Sequence, residues 1–148
     1  RAALEPFDRG AGGENPYKVQ SDLQETMQAL VGIVRTESEM MQAYTKIQEF
    51  KARAARVGVS GHREYHAGWH TALDLRNLLA VSEAIARSAI ERKESRGGHF
   101  REDYPDKVVE FATINMMVKQ TPGGMTLSRI PIPPIPDHLK QVIEEQKS

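Results

Sequence analysis

Residues 73–105 read LDLRNLLAVSEAIARSAIERKESRGGHFREDYP, and this stretch decides the fold because a long apolar periodicity is followed by an abrupt stop. Apolar and small side chains recur on one broad face of a helix: Leu75, Leu78, Leu79, Ser82, Ile85, Ala86 and Ala89. We expect a central helix over about residues 69–95, with Leu75, Leu79 and Ile85 buried against neighbouring helices. Charged side chains spaced four apart predict an exposed ladder on its other side: Glu83, Arg87 and Glu91.

The second half of the stretch, residues 91–105, concentrates four cationic and four acidic side chains, one histidine and a glycine pair. One interpretation is structural, with Gly97 as the left-handed residue that follows the helix. Arg96 and Arg101 then form bidentate pairs with carboxylates such as Glu94 and Asp103.

The other interpretation is catalytic, with His99 as a proton donor and Arg101 as an anion clamp. The residue types favour the structural interpretation without excluding the catalytic one. The candidate motif consists of Glu94, Ser95, Arg96, Gly97, His99, Arg101, Asp103 and Tyr104.

Two shorter helices are predicted upstream. The first 20 residues are rich in glycine and are expected to be an extended lead-in. Ser21 and Gln24 then have the spacing of a capping box and are expected to open an amphipathic helix. Thr36 and Glu39 form a second capping box for a helix that ends at Gly58. The two helices should be antiparallel or sharply bent at Arg35–Thr36.

Downstream of the motif, two runs of strand-forming residues flank Thr121–Gly124, which predicts a β-hairpin. Residues 130–136, IPIPPIP, must be extended, and a short polar helix is expected from Asp137. The fold class is therefore mainly α, a spectrin-repeat-like antiparallel three-helix bundle followed by a short β-hairpin and an extended Pro-rich tail. The predicted boundaries are 1–20 for the lead-in, 21–105 for the bundle with its terminal motif, and 106–148 for the hairpin and tail.

Composition excludes several classes of function. The 20 basic and 20 acidic residues balance and are interspersed, so no basic face for nucleic acid is evident. The sequence contains no cysteine, which excludes disulfides and thiolate chemistry within it, and no apolar run approaches the roughly 20 residues that span a bilayer, so we expect a soluble segment. It begins at Arg1, and we expect it to be a piece of a longer protein.

Three histidines recur every four residues at His62, His66 and His70, a spacing that could place three imidazoles on one helix face and bind zinc or iron. Gly61 and Gly68 interrupt this window, so the expectation is that no metal binds.

The stretch from Leu73 to Pro105 strongly resembles the C-terminal helical domain of the succinate dehydrogenase and fumarate reductase flavoprotein subunit. The resemblance rests on Leu75 and Asn77–Leu78, and then on a long specific series: Ser88, Ala89, Arg92, Glu94, Ser95, Arg96, Gly97, His99, Arg101, Asp103, Tyr104 and Pro105. Residues 23–40, LQETMQALVGIVRTESEM, are similar to the first helices of the same domain. L-aspartate oxidase and adenylylsulfate reductase share the architecture and remain alternatives.

The resemblance implies an FAD enzyme that interconverts succinate and fumarate and passes electrons to an iron–sulfur subunit. It implies that upstream FAD-binding and capping domains hold the flavin and the catalytic residues, since no Gly-x-Gly-x-x-Gly occurs in this chain. The motif residues then carry structure and subunit docking. The implied partners are those upstream domains, the iron–sulfur subunit and, indirectly, a membrane anchor subunit, on the cytoplasmic inner face of a bacterial plasma membrane. A stand-alone helical adaptor without catalysis is the remaining alternative.

Overall fold

The computed structural model describes residues 2–146. It is mainly helical and contains one antiparallel strand pair. The chain divides into two compact units, the first ending at Val108 and the second beginning at Val109.

The first unit opens with short helical segments, not with an extended lead-in. Helix α1 spans Glu5–Arg9 between two single turns of 3₁₀ helix, and helix α2 spans Pro16–Leu30. The prediction that the first long helix starts at Ser21 is wrong, because Asn15 caps the helix and accepts a hydrogen bond from the Tyr17 N–H at 2.9 Å. An asparagine cap followed by proline at the first helical position is a strong start signal, since proline has no N–H to leave unpaired.

The next element, strand β1, consists of Val34–Arg35 and leads directly into helix α3, Glu37–Ala54. The predicted capping box is confirmed: the Thr36 hydroxyl accepts the Glu39 N–H at 3.3 Å, and the Glu39 carboxylate accepts the Thr36 N–H at 3.2 Å. The helix ends four residues before Gly58, so the prediction that Gly58 stops it is wrong.

Gly58 is required instead by a close approach of two backbones. A Cβ atom at this position would lie 2.2 Å from the Gly10 carbonyl oxygen, far inside van der Waals contact. The neighbouring strand-like bridge pairs Glu14 with Val57, and Gly58 donates its N–H to the Glu14 carbonyl at 3.0 Å. The N-terminal segment thus packs on the residues that follow α3.

Helix α4, the longest, spans Ala67–Glu91, and strand β2, Phe100–Arg101, follows it. His66 caps its N-terminus by accepting the Trp69 N–H on Nδ1 at 3.1 Å. The helix ends four residues earlier than predicted, with Arg92 as the C-terminal cap residue.

The core lies where α2, α3 and α4 pack on one another. Its buried apolar residues are Val19, Leu23, Val31, Ala43, Ile47, Phe50, Val57, Ala72, Leu75, Leu79 and Ala86. Leu75 and Leu79 are buried as expected, whereas Ile85 is 44% exposed, contrary to the prediction. Each helical residue turns by about 100°, so Ile85 points away from the stripe that contains its neighbour Ala86.

The predicted charge ladder on α4 is also wrong for Glu83, which is only 6% exposed. Its carboxylate forms an ion pair with Lys51 on α3 and lies 3.4 Å from the Arg87 guanidinium. Glu83 therefore joins α3 to α4 instead of facing solvent.

The second unit contains helix α5, Val109–Ala112, strands β3, Ile114–Thr121, and β4, Gly124–Pro131, and helix α6, Asp137–Glu145. The strands pair antiparallel, with Ile114 opposite Pro131 and Thr121 opposite Gly124, so the predicted hairpin and its turn are confirmed. Residues 132–136 are neither helix nor strand, and the predicted final helix begins at Asp137.

Candidate functional site

The sequence motif after α4 meets the junction between α2 and α3 through strands β1 and β2. These two strands pair in parallel, with Val34 opposite Phe100 and Arg35 opposite Arg101. The Phe100 N–H donates to the Ile33 carbonyl at 3.2 Å and the Glu102 N–H donates to the Arg35 carbonyl at 3.0 Å.

This pairing assembles a set of charged side chains that we call the arginine cluster. Its cations come from β1, from the end of α4, from the loop that follows α4 and from β2, and its anions come from α3 and the motif. The members are Arg35, Arg92, Arg96, Arg101, Glu37, Glu94, Asp103 and His99.

Arg101 lies at the centre of the cluster with 0% of its side chain exposed. It forms a bidentate pair with Asp103, with Nε to Oδ1 and Nη2 to Oδ2 both at 2.7 Å, and Nη2 also lies 3.3 Å from a Glu37 carboxylate oxygen. Its Nη1 donates to the Ala89 carbonyl at 3.1 Å and lies 3.3 Å from that of Ile90. Each donor side of this guanidinium therefore faces a protein acceptor.

The Arg101–Asp103 pair joins two helix ends of opposite polarity. Arg101 donates hydrogen bonds to carbonyls at the C-terminal end of α4. These carbonyls have no N–H partner within the helix. Asp103 accepts the free N–H of Glu37, the first residue of α3, at 2.9 Å. Each charge lies at the helix end that its sign stabilises. The hydrogen bonds from Arg101 lower the pKa of Asp103 to about 2.

Glu94 is the second buried centre of the cluster, with 0% of its side chain exposed. Arg96 forms a bidentate pair with it at 2.9 and 3.0 Å, Arg92 contacts the same carboxylate, and the Val108 N–H donates to it at 2.8 Å. The hydrogen bond from Arg96 is the main cause that lowers the pKa of Glu94 to about 2, with the Val108 N–H and Arg92 adding to it against the opposing effect of burial. Both arginine–carboxylate pairs expected from the sequence are therefore present.

His99 is bonded through both ring nitrogens. Arg35 Nη1 donates to Nδ1 at 2.6 Å, and Nε2 lies 2.9 Å from the Arg92 carbonyl oxygen. Because a guanidinium has only donors and a carbonyl only accepts, these contacts fit a neutral imidazole with its proton on Nε2. Burial is the main cause that lowers the pKa of His99; the hydrogen bond to the Arg92 carbonyl opposes it, and the charges of Arg35, Arg101 and Arg92 lower the pKa further.

Ser95 and Gly97 shape the loop that carries these groups. The Ser95 hydroxyl accepts the Arg101 N–H at 2.8 Å and donates to the Tyr104 carbonyl at 2.9 Å. Gly97 has a positive φ of +58°, as expected for a left-handed residue. The prediction that it directly follows the helix is wrong, because α4 ends at Glu91 and Arg92 is the C-terminal cap residue. Gly97 belongs to a two-residue turn in which Arg96 and His99 exchange backbone hydrogen bonds of 2.8 and 3.1 Å.

The eight motif residues lie in the segment 94–104, which includes strand β2, and the centre of the Tyr104 ring lies 4.8 Å from the Arg101 guanidinium carbon. Sequence reasoning missed Arg35, Glu37 and Arg92 as parts of this cluster. A signal for two of them was available, since Arg35 and Glu37 flank the Thr36 cap where the chain must change direction.

The three histidines spaced by four do not form a metal site. His66 uses Nδ1 for the helix cap, and its Nε2 lies 3.0 Å from the Ser60 carbonyl oxygen. Within residues 2–146, no group of three or more histidine, aspartate or glutamate side chains could hold a metal ion. No helix in the part of the chain that the structure describes is long and apolar enough to cross a membrane.

A family model described as the C-terminal part of the fumarate reductase flavoprotein matches residues 20–141. The chain belongs to this family. The fumarate reductase flavoprotein subunit of Mycobacterium tuberculosis is 30% identical over 83% of this chain and 21% of the relative. The L-aspartate oxidase of Acinetobacter baylyi is 37% identical over 68% of this chain and 19% of the relative.

A solved structure extends the likeness to the fold. The Mycobacterium smegmatis Sdh1 structure in complex with UQ1 superimposes with a TM-score of 0.82 and 38% identity, over 99% of this chain and 25% of that one. The chain therefore spans about a fifth to a quarter of the length of these relatives. The family resemblance inferred from residues 73–105 is confirmed.

The flavoprotein relatives are named for a flavin cofactor such as FAD. A dinucleotide site needs a glycine-rich turn that opens a helix after a strand. The sequence contains no Gly-x-Gly-x-x-Gly, and the glycines at Gly10–Gly12 form a 3₁₀ turn between α1 and α2. The chain therefore lacks this fingerprint of a dinucleotide site.

Proposed function

We propose that this chain is the C-terminal helical domain of the flavoprotein subunit of a succinate dehydrogenase or fumarate reductase. The whole subunit would interconvert succinate and fumarate through FAD, and it would pass electrons to an iron–sulfur subunit. The observation that carries the proposal is the family match over residues 20–141, supported by the 38% identity to a solved Sdh1 chain.

In this proposal, FAD is held by FAD-binding and capping domains that precede the helical domain. The absence of a dinucleotide fingerprint from the sequence supports this division of labour. The further partners are the iron–sulfur subunit and, through it, a membrane anchor subunit on the inner face of a bacterial plasma membrane. Nucleic acid is not a partner.

We propose that the arginine cluster stabilises the domain and takes part in subunit docking. In this proposal, no residue of the chain is catalytic, binds a cofactor or binds a metal. Two observations support it. The donors of Arg101 face protein acceptors, and both ring nitrogens of His99 are already bonded. A proton donor needs a nitrogen within reach of the substrate.

The finer architecture is part of the same proposal. Helices α2, α3 and α4 would form an antiparallel bundle of the spectrin-repeat type, followed by the hairpin and an extended Pro-rich tail. Residues 1–20 would connect the upstream domains to the bundle, predicted at 21–105 but with its first helix already starting at Pro16, and residues 106–148 would form the hairpin and tail.

The test uses the native polypeptide. We expect it to be about four times as long as this chain, to carry FAD and to reduce fumarate with a reduced viologen dye as electron donor. The 148-residue chain alone should retain no flavin. A native product of about 17 kDa would contradict the proposal and favour a stand-alone adaptor.

The role of His99 is tested in the same full-length subunit. We expect His99→Gln to leave turnover per bound flavin close to that of the unmodified subunit. A catalytic acid or base typically contributes about 10²- to 10⁴-fold to the rate. A hundredfold loss at unchanged melting temperature would therefore show that His99 takes part in catalysis.

L-aspartate oxidase is the second candidate, because that relative from Acinetobacter baylyi is 37% identical to this chain. Adenylylsulfate reductase is a third member of the same architecture. Assays with L-aspartate, adenylylsulfate and succinate on the full-length protein separate the three, since each enzyme turns over its own substrate.

A further inference from the structure

The His99 side chain, next to strand β2, contacts both strand β1 and the end of helix α4. Its Nδ1 accepts a hydrogen bond from Arg35 on β1 at 2.6 Å. Its Nε2 donates to the Arg92 carbonyl at the end of α4 at 2.9 Å. Both bonds depend on one protonation state, because an imidazolium has a proton on each nitrogen and offers Arg35 no acceptor.

The bond partner on β1 is itself fixed to a helix end. Arg35 Nε donates to the Gly32 carbonyl at 2.5 Å, just past the C-terminus of α2. Neutral His99 therefore links the end of α2, through Arg35, to the end of α4. We call this pair of hydrogen bonds the imidazole latch.

The charges around the ring oppose its protonation. Arg35 on β1, Arg92 after α4 and Arg101 on β2 all act on it. The carboxylates in the cluster are directed to other partners: Glu94 to Arg92 and Arg96, and Asp103 and Glu37 to Arg101. No carboxylate hydrogen bond to the His99 ring occurs among residues 2–146.

We propose that the imidazole latch is a pH-operated device: protonation of His99 releases β1 from β2 and opens the loop of residues 96–104. The reason is a change of hydrogen-bond type combined with like-charge repulsion. On protonation, an N–H of His99 would face an N–H of Arg35 across 2.6 Å. The proton is accommodated only when the strands separate and the ring reaches solvent.

The direction of the pH dependence follows from linkage. The pKa of His99 is lowered in the closed latch, whereas in the open loop it returns towards about 6.5. The open form therefore binds more protons, so opening is favoured as the pH falls below about 6.5, by up to roughly tenfold per pH unit. Glu94 and Asp103, with pKa values of about 2, stay ionised above pH 5 and do not contribute.

The experiment measures amide hydrogen exchange in the 148-residue chain between pH 7.5 and 5, corrected for the intrinsic pH dependence of exchange. The reporters are the Phe100 and Glu102 amides, which donate to the Ile33 and Arg35 carbonyls. The reference is the Val59 amide, which donates to the Pro6 carbonyl at 2.9 Å in the same unit. We expect protection of the two reporters to fall at least tenfold relative to Val59 between pH 6.5 and 5.

His99→Gln is the matched variant, because a glutamine amide can accept from Arg35 and donate to the Arg92 carbonyl but does not titrate. In this variant the reporters should keep their protection at pH 5. Equal loss in both proteins, loss at Val59 as well, or no loss in the unmodified chain would each overturn the proposal.

Nitrogen-15 spectra of the His99 ring provide a second measurement that needs no variant. We expect the Nε2–H form at pH 7.5 and protonation in step with the loss of reporter protection. A ring that protonates while Phe100 and Glu102 stay protected would overturn the latch. These outcomes are independent of the enzyme to which the chain is assigned.

Discussion

At the scale of single residues, the Arg101 side chain connects strand β2 to the end of α4 and to the start of α3. It is fully buried, it forms an ion pair with Asp103, and it donates hydrogen bonds to carbonyls in the last turn of α4. Arg101→Ala should destabilise the chain by about 3 kcal/mol, the lower end of the range for breaking a buried pair, because Asp103 is 30% exposed and can be partly hydrated. Urea unfolding of both proteins measures this difference.

The control for that measurement is Arg76→Ala, since Arg76 is exposed on α4. Surface substitutions of this kind usually stay within about 0.5 kcal/mol. Equal effects of the two substitutions would contradict the central position of Arg101.

Gly97 and Gly98 form a matched pair of adjacent glycines in the turn before β2. Gly97 has a φ of +58°, a region that L residues with a Cβ rarely adopt, whereas Gly98 has no positive φ. A Cβ at either position meets nothing within 4 Å, so only the backbone conformation separates them. Gly97→Ala should cost about 1 kcal/mol. Thermal denaturation of both variants checks this, and a Gly98→Ala variant that loses as much stability would rule out the explanation.

At the scale of elements, α4 shows how the packing of a helix selects among its apolar side chains. Leu79 belongs to the buried core, whereas Ile85 is 44% exposed. Leu79→Ala should cost about 2 to 5 kcal/mol, because it removes buried methylenes and leaves a cavity between helices. Ile85→Ala should cost far less. Chemical denaturation of the pair gives the ratio, and similar losses for both would show that the face of α4 is misassigned.

The existence of the three long helices and of the hairpin could be predicted from the sequence, because each depends on local patterns. The Thr36–Glu39 capping box and the Thr121–Gly124 turn are residue signals that the fold does not override. Helix ends were less predictable. The capping-box spacing at Ser21 was a coincidence within a helix that already starts at Pro16, and its hydroxyl instead donates to Glu25 at 3.2 Å.

At the scale of the whole first unit, the cluster depends on contacts between residues far apart in sequence. The arginine–carboxylate pairs at Glu94–Arg96 and Arg101–Asp103 are two residues apart and could be predicted. The hydrogen bond from Arg35 to His99 joins residues 64 positions apart, and no local sequence pattern indicates it. It exists because the parallel pairing of β1 and β2 sets two distant segments in register. Pairs between residues that are close in sequence can therefore be predicted, whereas pairs between distant segments require the three-dimensional structure.

The stability of the first unit in acid depends on its two arginine–carboxylate pairs. The pKa values of Glu94 and Asp103 are lowered to about 2 by their arginine partners, against ordinary values of 4.5 and 3.8. The unfolded chain therefore binds more protons than the folded chain between about pH 4.5 and 2. The stabilisation is fully present above about pH 5 and is lost progressively as the pH falls towards 2. A shift of one pKa unit corresponds to about 1.4 kcal/mol, so Glu94 alone contributes on the order of 3 kcal/mol at neutral pH.

Urea unfolding at a series of pH values from 7 to 3 measures this loss, and Asp103→Asn isolates one contribution. The variant should be less stable than the unmodified chain at pH 7, because an amide bonds Arg101 more weakly than a carboxylate does. The difference should shrink as the pH falls from about 4 towards 3, because the unfolded chain then takes up a proton at Asp103 whereas the folded chain, in which the pKa of Asp103 is about 2, does not. Glu110→Gln in the second unit is the control, because the Glu110 side chain is 65% exposed and lies outside the arginine cluster. A difference between the Asp103→Asn variant and the unmodified chain that stays constant from pH 7 to 3 would mean that ionised Asp103 does not stabilise the cluster.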